Sequence, residues 1–282
     1  QEQEESGGLS ADNTSAENHC TIFTMAESPL DEKLIWAGTD DGNLQYTTDA
    51  GKTWTNVAAN YKNAGIPAQT WISSIEPSRF DKKVVYVTFD NHMYGDHKTY
   101  LGYSADMGRT WKLISSPEFT GFAHIIRQDL VNKDLLFLGT EMGLFGTLDG
   151  GQNWFRMKNK IPEYALVRDI KIHPRTHDLI IATHGRGILI VDDISPIRNL
   201  KKETVEKEVV LFPTAPITLT MGQFGDGGFP STGGWVAGNP PSIPPIKYYL
   251  KDRVNSGEVK VEIFDAAGKL VQSIPGSKRK GV

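Results

Sequence analysis

Thr47-Thr48-Asp49-Ala50-Gly51-Lys52-Thr53-Trp54 recurs as Ser104-Ala105-Asp106-Met107-Gly108-Arg109-Thr110-Trp111 and again as Thr147-Leu148-Asp149-Gly150-Gly151-Gln152-Asn153-Trp154. Each copy reads small hydroxyl, any residue, Asp, any, Gly, any, a polar residue, Trp. Asp followed two residues later by Gly is turn chemistry. The carboxylate accepts hydrogen bonds from backbone N–H groups just ahead of it, and Gly takes a positive φ at little cost. The Trp then opens the next strand and packs on the hairpin, its indole N–H needing one acceptor. Turn geometry accounts for every fixed position. Asp49, Gly51, Trp54, Asp106, Gly108, Trp111, Asp149, Gly151 and Trp154 are therefore read as structural box residues, not as catalytic acids.

The repeat extends outward from the box. An apolar strand B precedes each copy, at 34–39, 84–88 and 135–140, and a fourth lies at 179–183, leading into a strand at 188–192. Asp106 to Asp149 and Asp149 to Asp192 are each 43 residues apart, so Asp192 stands where a box Asp belongs although its Gly and Trp are gone. Asp49 to Asp106 is 57 residues, and the 14-residue excess falls between Phe89 and Tyr103. A further strand A precedes each B, at 20–25, 71–75, 122–126 and 167–172, ending in a charged or proline-containing turn such as Glu76-Pro77-Ser78 or His173-Pro174-Arg175. Each unit is then strand A, turn, strand B, turn, strand C, box turn, strand D. Four short antiparallel strands repeating at about 40–50 residues predict β-propeller blades, and the β-branched and aromatic enrichment argues against helices.

The chain has 282 residues with 39% hydrophobic residues and 28 glycines, a β-rich globular composition. Its net charge of −4 lacks the basic footprint of a nucleic-acid binder. No apolar run approaches the length of a membrane span. The single cysteine, Cys20, has no partner for an internal disulfide, and its place in strand A predicts a small buried apolar residue. Residues 1–18 are polar, start with Gln and lack a signal-peptide core, so the chain reads as an excerpt. Blades are expected over 19–212, a Gly/Pro-rich linker over 213–245, and the opening strands of an immunoglobulin-like β-sandwich over 246–282, with a hairpin turn at Asp265-Ala266-Ala267-Gly268-Lys269. The fold class is all-β: four four-stranded antiparallel blades of a larger propeller, then an incomplete sandwich.

The boxes, the phrase Trp36-Ala37-Gly38-Thr39-Asp40-Asp41-Gly42 and the run Ala182-Thr183-His184-Gly185-Arg186-Gly187-Ile188 resemble the Asp-box (BNR) propeller proteins related to sortilin. These are large secreted bacterial proteins, often labelled glycosyl hydrolase by analogy with sialidases and xyloglucanases. The resemblance covers residue 8 to about 198. It implies an extracellular or periplasmic location, and that the chain is the end of a propeller region with more blades upstream. It does not establish chemistry, because Asp boxes occur in hydrolases and in pure binding proteins.

Hairpins in a blade alternate between the two propeller faces, so the B–C turns and D–A connections lie opposite the boxes. That face collects Asp40 and Asp41, the insertion around His92, Tyr94, Asp96 and His97, then Glu141, and finally His184 and Arg186. Loops on a rigid scaffold carry function. Trp71, His92, Tyr94, His184 and Arg186 are the candidate ligand-binding residues. Glycoside hydrolysis needs two carboxylates about 5–9.5 Å apart, and Asp40, Asp41, Asp96 and Glu141 are the candidates. The plainer reading makes them turn formers, and Trp71 inter-blade core. Arg186 alone lies in these loops, whereas Arg109 and Arg156 belong to box-side hairpins, too few for a sialidase clamp. His92, Asp96 and His97 form no closed ligand set, so no metal and no cofactor is expected. The leading expectation is a non-catalytic propeller binding a protein or polysaccharide ligand on this face. The alternative is a hydrolase of a β-linked polysaccharide with part of its catalytic pair in blades upstream.

Overall fold

The computed structural model describes residues 20–158, 161–214 and 245–281. It divides into two compact units, Gln1–Ile194 and Ser195–Val282. The first holds four antiparallel sheets in chain order, and these are blades of a propeller. Blade 1 comprises β1 (Ile22–Ser28), β2 (Asp31–Thr39), β3 (Leu44–Thr47) and β4 (Thr55–Asn56), followed by the short helix α1 (Ala58–Lys62). Blade 2 comprises β5 (Trp71–Pro77), β6 (Val85–Asp90), β7 (Tyr100–Ser104) and β8 (Lys112–Ile114). Blade 3 comprises β9 (Ala123–Gln128), β10 (Leu136–Thr140), β11 (Gly143–Thr147) and β12 (Phe155–Arg156). The fourth sheet has three strands among the described residues, β13 (Val167–Ile172), β14 (Leu179–Thr183) and β15 (Ile188–Val191). The fourth strand expected there does not form. Without the box Gly and Trp the chain leaves β15 through Asp193, at φ 47°, and turns into a helix.

The three boxes close their turns in the same way. Thr47 Oγ1 donates to Asp49 Oδ1 (2.7 Å) and accepts from Gly51 N (3.0 Å), while Thr53 N and Oγ1 donate to the two carboxylate oxygens at 2.9 and 2.6 Å. Trp54 Nε1 donates back to Gly51 O at 3.2 Å. Ser104, Asp106, Gly108, Thr110 and Trp111 repeat this set, and so do Thr147, Asp149, Gly151, Asn153 and Trp154. Two successive left-handed residues make the bend, Ala50 and Gly51 at φ 59° and 89° in the first box. The second box glycine also touches the preceding blade. A β-carbon at Gly108 would stand 3.1 Å from Val57 Cγ2, and one at Gly151 3.3 Å from Ile114 Cδ1.

The first strands of successive blades pack against one another, β1 on β5, β5 on β9 and β9 on β13. Strand B of each blade supports the next strand A, and the fit is a trade of volumes. A β-carbon at Gly38 in β2 would lie 2.5 Å from Ile72 Cγ2 in β5, and one at Gly139 in β10 2.6 Å from Val167 Cγ1 in β13. In blade 2 the same position is Thr88. The facing strand there offers the small Ala123, and Thr88 Oγ1 donates to His124 O at 3.1 Å. Trp36, Tyr61, Ile72, Val87 and Phe89 fill the core between blades 1 and 2; Leu101, Ile126, Leu136, Leu138 and Phe145 fill that between blades 2 and 3.

Each first strand carries a one-residue β-bulge at the same level. The register against strand B skips Phe23, Ser73, His124 and Arg168 in turn. Bulges re-aim a side chain, and all four bulged residues line one recess. Cys20 is not buried as its strand position predicted. It is exposed ahead of β1 at φ 82°, its N–H bound to Asp40 Oδ1.

In the second unit β16 (Val209–Leu211) pairs with β17 (Tyr248–Leu250), and β18 (Lys260–Phe264) with β19 (Leu270–Pro275). The hairpin turn at 265–269 forms as read, with Asp265 Oδ1 accepting from Ala267 N and Lys269 N. Because β16 pairs with β17, 195–212 belongs with this unit and not with the blades, which moves the expected boundary. The expected N-terminal segment (1–18) and most of the expected linker (213–245) lie outside the described residues. No helix is long and apolar enough to cross a membrane among the described residues.

Two outcomes follow. Gly139→Ala is expected to destabilise the chain by about 1–3 kcal/mol through overpacking, read as a lower urea midpoint. The box carboxyls sit below their ordinary value, Asp49 at about 2, held there by the Thr53 hydroxyl and amide. A depressed folded pKa contributes stability above the unfolded value of about 3.9 that is lost as pH falls toward the folded one. Stability of the wild type should therefore drop between about pH 4 and 2. Asp49→Asn should lower stability at neutral pH and flatten that acid slope in pH-dependent denaturation.

Candidate functional site

The turns opposite the boxes are fixed by the strands that follow the D–A connections. Asp40 N donates to Thr21 O (3.1 Å), Glu141 N to Phe122 O (3.0 Å) and His184 N to Leu166 O (2.8 Å). Each B–C turn thus sits beside the start of its own strand A, and the bulged residues lie at this end of the blades. Tyr61 of α1 is fully buried and donates to Gly42 O beneath the first turn. Thr99 Oγ1 ties the blade-2 insertion to Gly121 O of the next connection.

Each of the four candidate carboxylates is engaged by hydrogen bonds of its own. Asp40 Oδ1 accepts from Cys20 N and Thr21 N, both at 2.8 Å. Asp41 accepts from the Thr39 hydroxyl and from Asn43 Nδ2. Burial works against its charged form, but these hydrogen bonds prevail and hold its carboxyl below the ordinary range. Asp96 accepts from Tyr100 Oη (2.8 Å), Asn91 Nδ2 (3.1 Å) and Lys98 N (3.1 Å), and is lowered in the same way against burial. Glu141 Oε2 meets His97 Nδ1 at 2.9 Å. Among the described carboxyls, Glu76 is the one that burial pushes upward, against the pull of Arg127. It lies in β5, where Arg127 Nη1 donates to it at 2.9 Å.

The aromatic and histidine candidates differ in how far they reach solvent. Trp71 is half-buried, edge-on to Phe23 (4.5 Å) and to His124 (5.7 Å), and its Nε1 is buried without a hydrogen-bond partner. His92 turns inward, its Nδ1 2.5 Å from Asp90 Oδ1 and its ring stacked on Phe122 at 4.5 Å. His97 turns to Glu141 instead, so His92, Asp96 and His97 go three separate ways. Tyr94 is 62% exposed on the insertion. His184 and Arg186 are exposed in an open turn. Nothing stands within 4 Å of a β-carbon at Gly185 or Gly187, so these glycines answer the positive φ of 75° and 79° and not a close neighbour.

A polar relay at the bulge level escaped the sequence reading. Asp90 is buried at the end of β6, with Oδ2 3.3 Å from His124 Nδ1, and His124 Nε2 lies 3.4 Å from Arg168 Nη1. A guanidinium only donates, so Nε2 accepts and Nδ1 carries the proton toward Asp90. One imidazole thereby links blades 2, 3 and 4. Arg127 does the same nearby, reaching Glu76, Ile170 O (2.9 Å) and Asp169 (3.4 Å). With Phe23 and Ser73, the side chains of Glu76, His124, Arg127, Arg168 and Asp169 line a recess of about 570 Å³ shared by all four first strands. Aligning the four strands A residue by residue is the signal that finds them, since Ser73, His124 and Arg168 occupy one position.

A second recess, of about 620 Å³, opens between blades 2 and 3 and is lined by His97, Thr120, Glu141, Met142, Arg156 and Tyr164, with Gly121. Arg156 was assigned to the box side from its place after the third box. Its long side chain instead runs along β11 to this end, donating to Met142 O and to Thr120 Oγ1 (3.1 Å). Its guanidinium lies over Phe145 at 5.4 Å and over Tyr164 at 5.9 Å.

Replacing His124 by Leu removes the partner of Asp90 Oδ2 and of the Arg168 guanidinium, while Asp90 Oδ1 keeps His92. The expected loss is about 1–3 kcal/mol, checked by urea denaturation, and an unchanged midpoint would remove the relay from the contacts that stabilise the blades.

No protein-family profile matches this sequence, and no curated protein is significantly similar to it. Among solved structures, a GH74 xyloglucanase from Xanthomonas campestris is 14% identical at a TM-score of 0.48, over 68% of this chain and 32% of that one. YCF48 from Cyanidioschyzon merolae is 16% identical at 0.43, over 60% and 52%. The extracellular domain of BT3049 from B. thetaiotaomicron is 19% identical at 0.44, over 66% and 21%. The chain thus spans between 21 and 52% of these structures' length. Likeness at this level does not bear on activity or ligand.

Proposed function

We propose that this chain is a binding protein, one of the Asp-box propellers that its motifs resemble, which holds a protein or glycan ligand on the face opposite the boxes without hydrolysing it. The observation that carries this reading is how the face's carboxylates are used. Asp40, Asp41 and Asp96 are committed to the turns that hold them, and hydrogen bonds keep Asp41 and Asp96 in the charged form. A general acid needs the opposite, a carboxyl raised toward neutral pH by its surroundings. Glu141 faces His97 and not a second carboxylate.

The groups turned outward suit recognition. Tyr94, His97, Tyr164, His184 and Arg186 are exposed on turns that the blades hold rigidly. Trp71 and His92 contribute from beneath, through their packing on Phe23 and Phe122. Rigid scaffolds presenting such side chains bind with little ordering cost. The location that follows from the motif resemblance, outside the cytoplasm, fits a face built to meet external ligands.

Incubating the full chain with a panel of soluble β-linked polysaccharides should release no reducing ends above the buffer control. Sustained release, abolished by Glu141→Gln, would overturn the proposal and make the face a hydrolase site.

A further inference from the structure

The recess between blades 2 and 3 has unspent polar atoms of both kinds around an aromatic ring, and its own wall opposes charged ligands of either sign. The loop backbone is internally satisfied there. Thr120 O accepts from Thr140 Oγ1, Gly121 O from Thr99 Oγ1, and Met142 O from Arg156. What remains is the second oxygen of Glu141, Nε2 of His97 and the hydroxyl of Tyr164, since the Thr120 hydroxyl already accepts from Arg156. The His97 side chain is 55% exposed and Tyr164 is 70% exposed, whereas Glu141 at 23% forms the floor.

Charge narrows the ligand class. An anion approaching this floor meets Glu141, and a cation meets Arg156 in the same wall, so neither is selected by a net field. Apolar area alone does not explain the site, because the ring is rimmed by acceptors and donors that would be left unpaired beneath a purely apolar ligand. A ring with vicinal hydroxyls on its edge and C–H groups on its faces meets every requirement. One face lies on the exposed side of Tyr164, whose other side is held by Arg156. His97 Nδ1 donates to Glu141 Oε2, so its Nε2 accepts, and adjacent hydroxyls of such a ring can donate to Nε2 and to the second Glu141 oxygen. The recess of about 620 Å³ is within the usual size of small-ligand sites, and it is open at the mouth, which lets a chain continue past it.

We propose that this recess is a subsite for a neutral pyranose unit of a polysaccharide, with Tyr164 as the stacking platform and Glu141 and His97 as the hydroxyl partners. The inference rests on the binding role proposed above and names its ligand class. Arg156 acts as a positioning residue, holding Tyr164 and the turn at Met142 in place.

The test is native affinity electrophoresis of the full chain in gels containing hydroxyethyl cellulose, galactomannan or mixed-linkage β-glucan, with polygalacturonate and poly-lysine as charged controls. At least one neutral polysaccharide should retard the wild type and neither charged polymer should. Tyr164→Ala and Glu141→Ala should each weaken retardation about tenfold, while Lys52→Ala, on the box side, should leave it unchanged. Tyr164 is largely exposed, so its removal leaves the fold intact, which circular dichroism checks. No retardation by any neutral polysaccharide, or retardation only by a charged one, overturns the ligand class. Retardation that survives Tyr164→Ala but is lost in His184→Ala overturns the subsite and leaves the binding face standing. Reducing-end release by the wild type is the separate result that overturns the binding role itself.

Discussion

Neighbouring blades can meet only where one strand gives up volume to the next. Gly38 and Gly139 leave no room for a β-carbon against Ile72 and Val167, and Thr88 is accepted because Ala123 stands opposite. This close approach brings the first strands near enough for single side chains to span blades. Arg127 reaches partners on β5 and β13, and His124 bridges Asp90 and Arg168. The bulges at Phe23, Ser73, His124 and Arg168 belong to the same constraint. A continuous pleat would turn these residues into the packed layer, and the skipped register turns them into the shared recess instead.

The box turns and the turns proposed to bind a ligand lie at opposite ends of the blades. At one end the box carboxylates are saturated by their own turns, and the second box glycine seats on an aliphatic side chain of the preceding blade. At the other end the turns are equally well hydrogen-bonded, yet they leave aromatic and imidazole groups pointing outward. A carboxylate on this face is therefore either a turn device, as Asp40, Asp41 and Asp96 are, or part of a mixed polar rim, as Glu141 is.

The box motif and its 43-residue spacing made the blade order and most strands legible, because both reflect local hydrogen bonding that needs no distant partner. The hairpin at 265–269 was legible for the same reason. The sequence reading expected a fourth strand in the last blade, and the structure has three there, because without the Gly and Trp of a box after Asp192 the chain turns helical instead. What the sequence could not reveal depended on distance across blades. Arg156 looked box-sided until its reach along β11 was known. His124 looked like an ordinary strand residue until the bulge gave its direction. The partners of the four carboxylate candidates were not legible either: Asp40 is held by the start of strand A, Asp41 and Asp96 within their own loops, and Glu141 by His97 of the blade-2 insertion.

Because each blade leans on the one before it and the one after, the four form a linear array with interfaces of similar kind. Such arrays acquire order by nucleation at one interface and growth along the chain, with short sequence separations inside each unit keeping assembly rapid. Between blades 2 and 3 the Thr88 bond and the Asp90–His124 link add polar ties to the packed interface that such growth would extend.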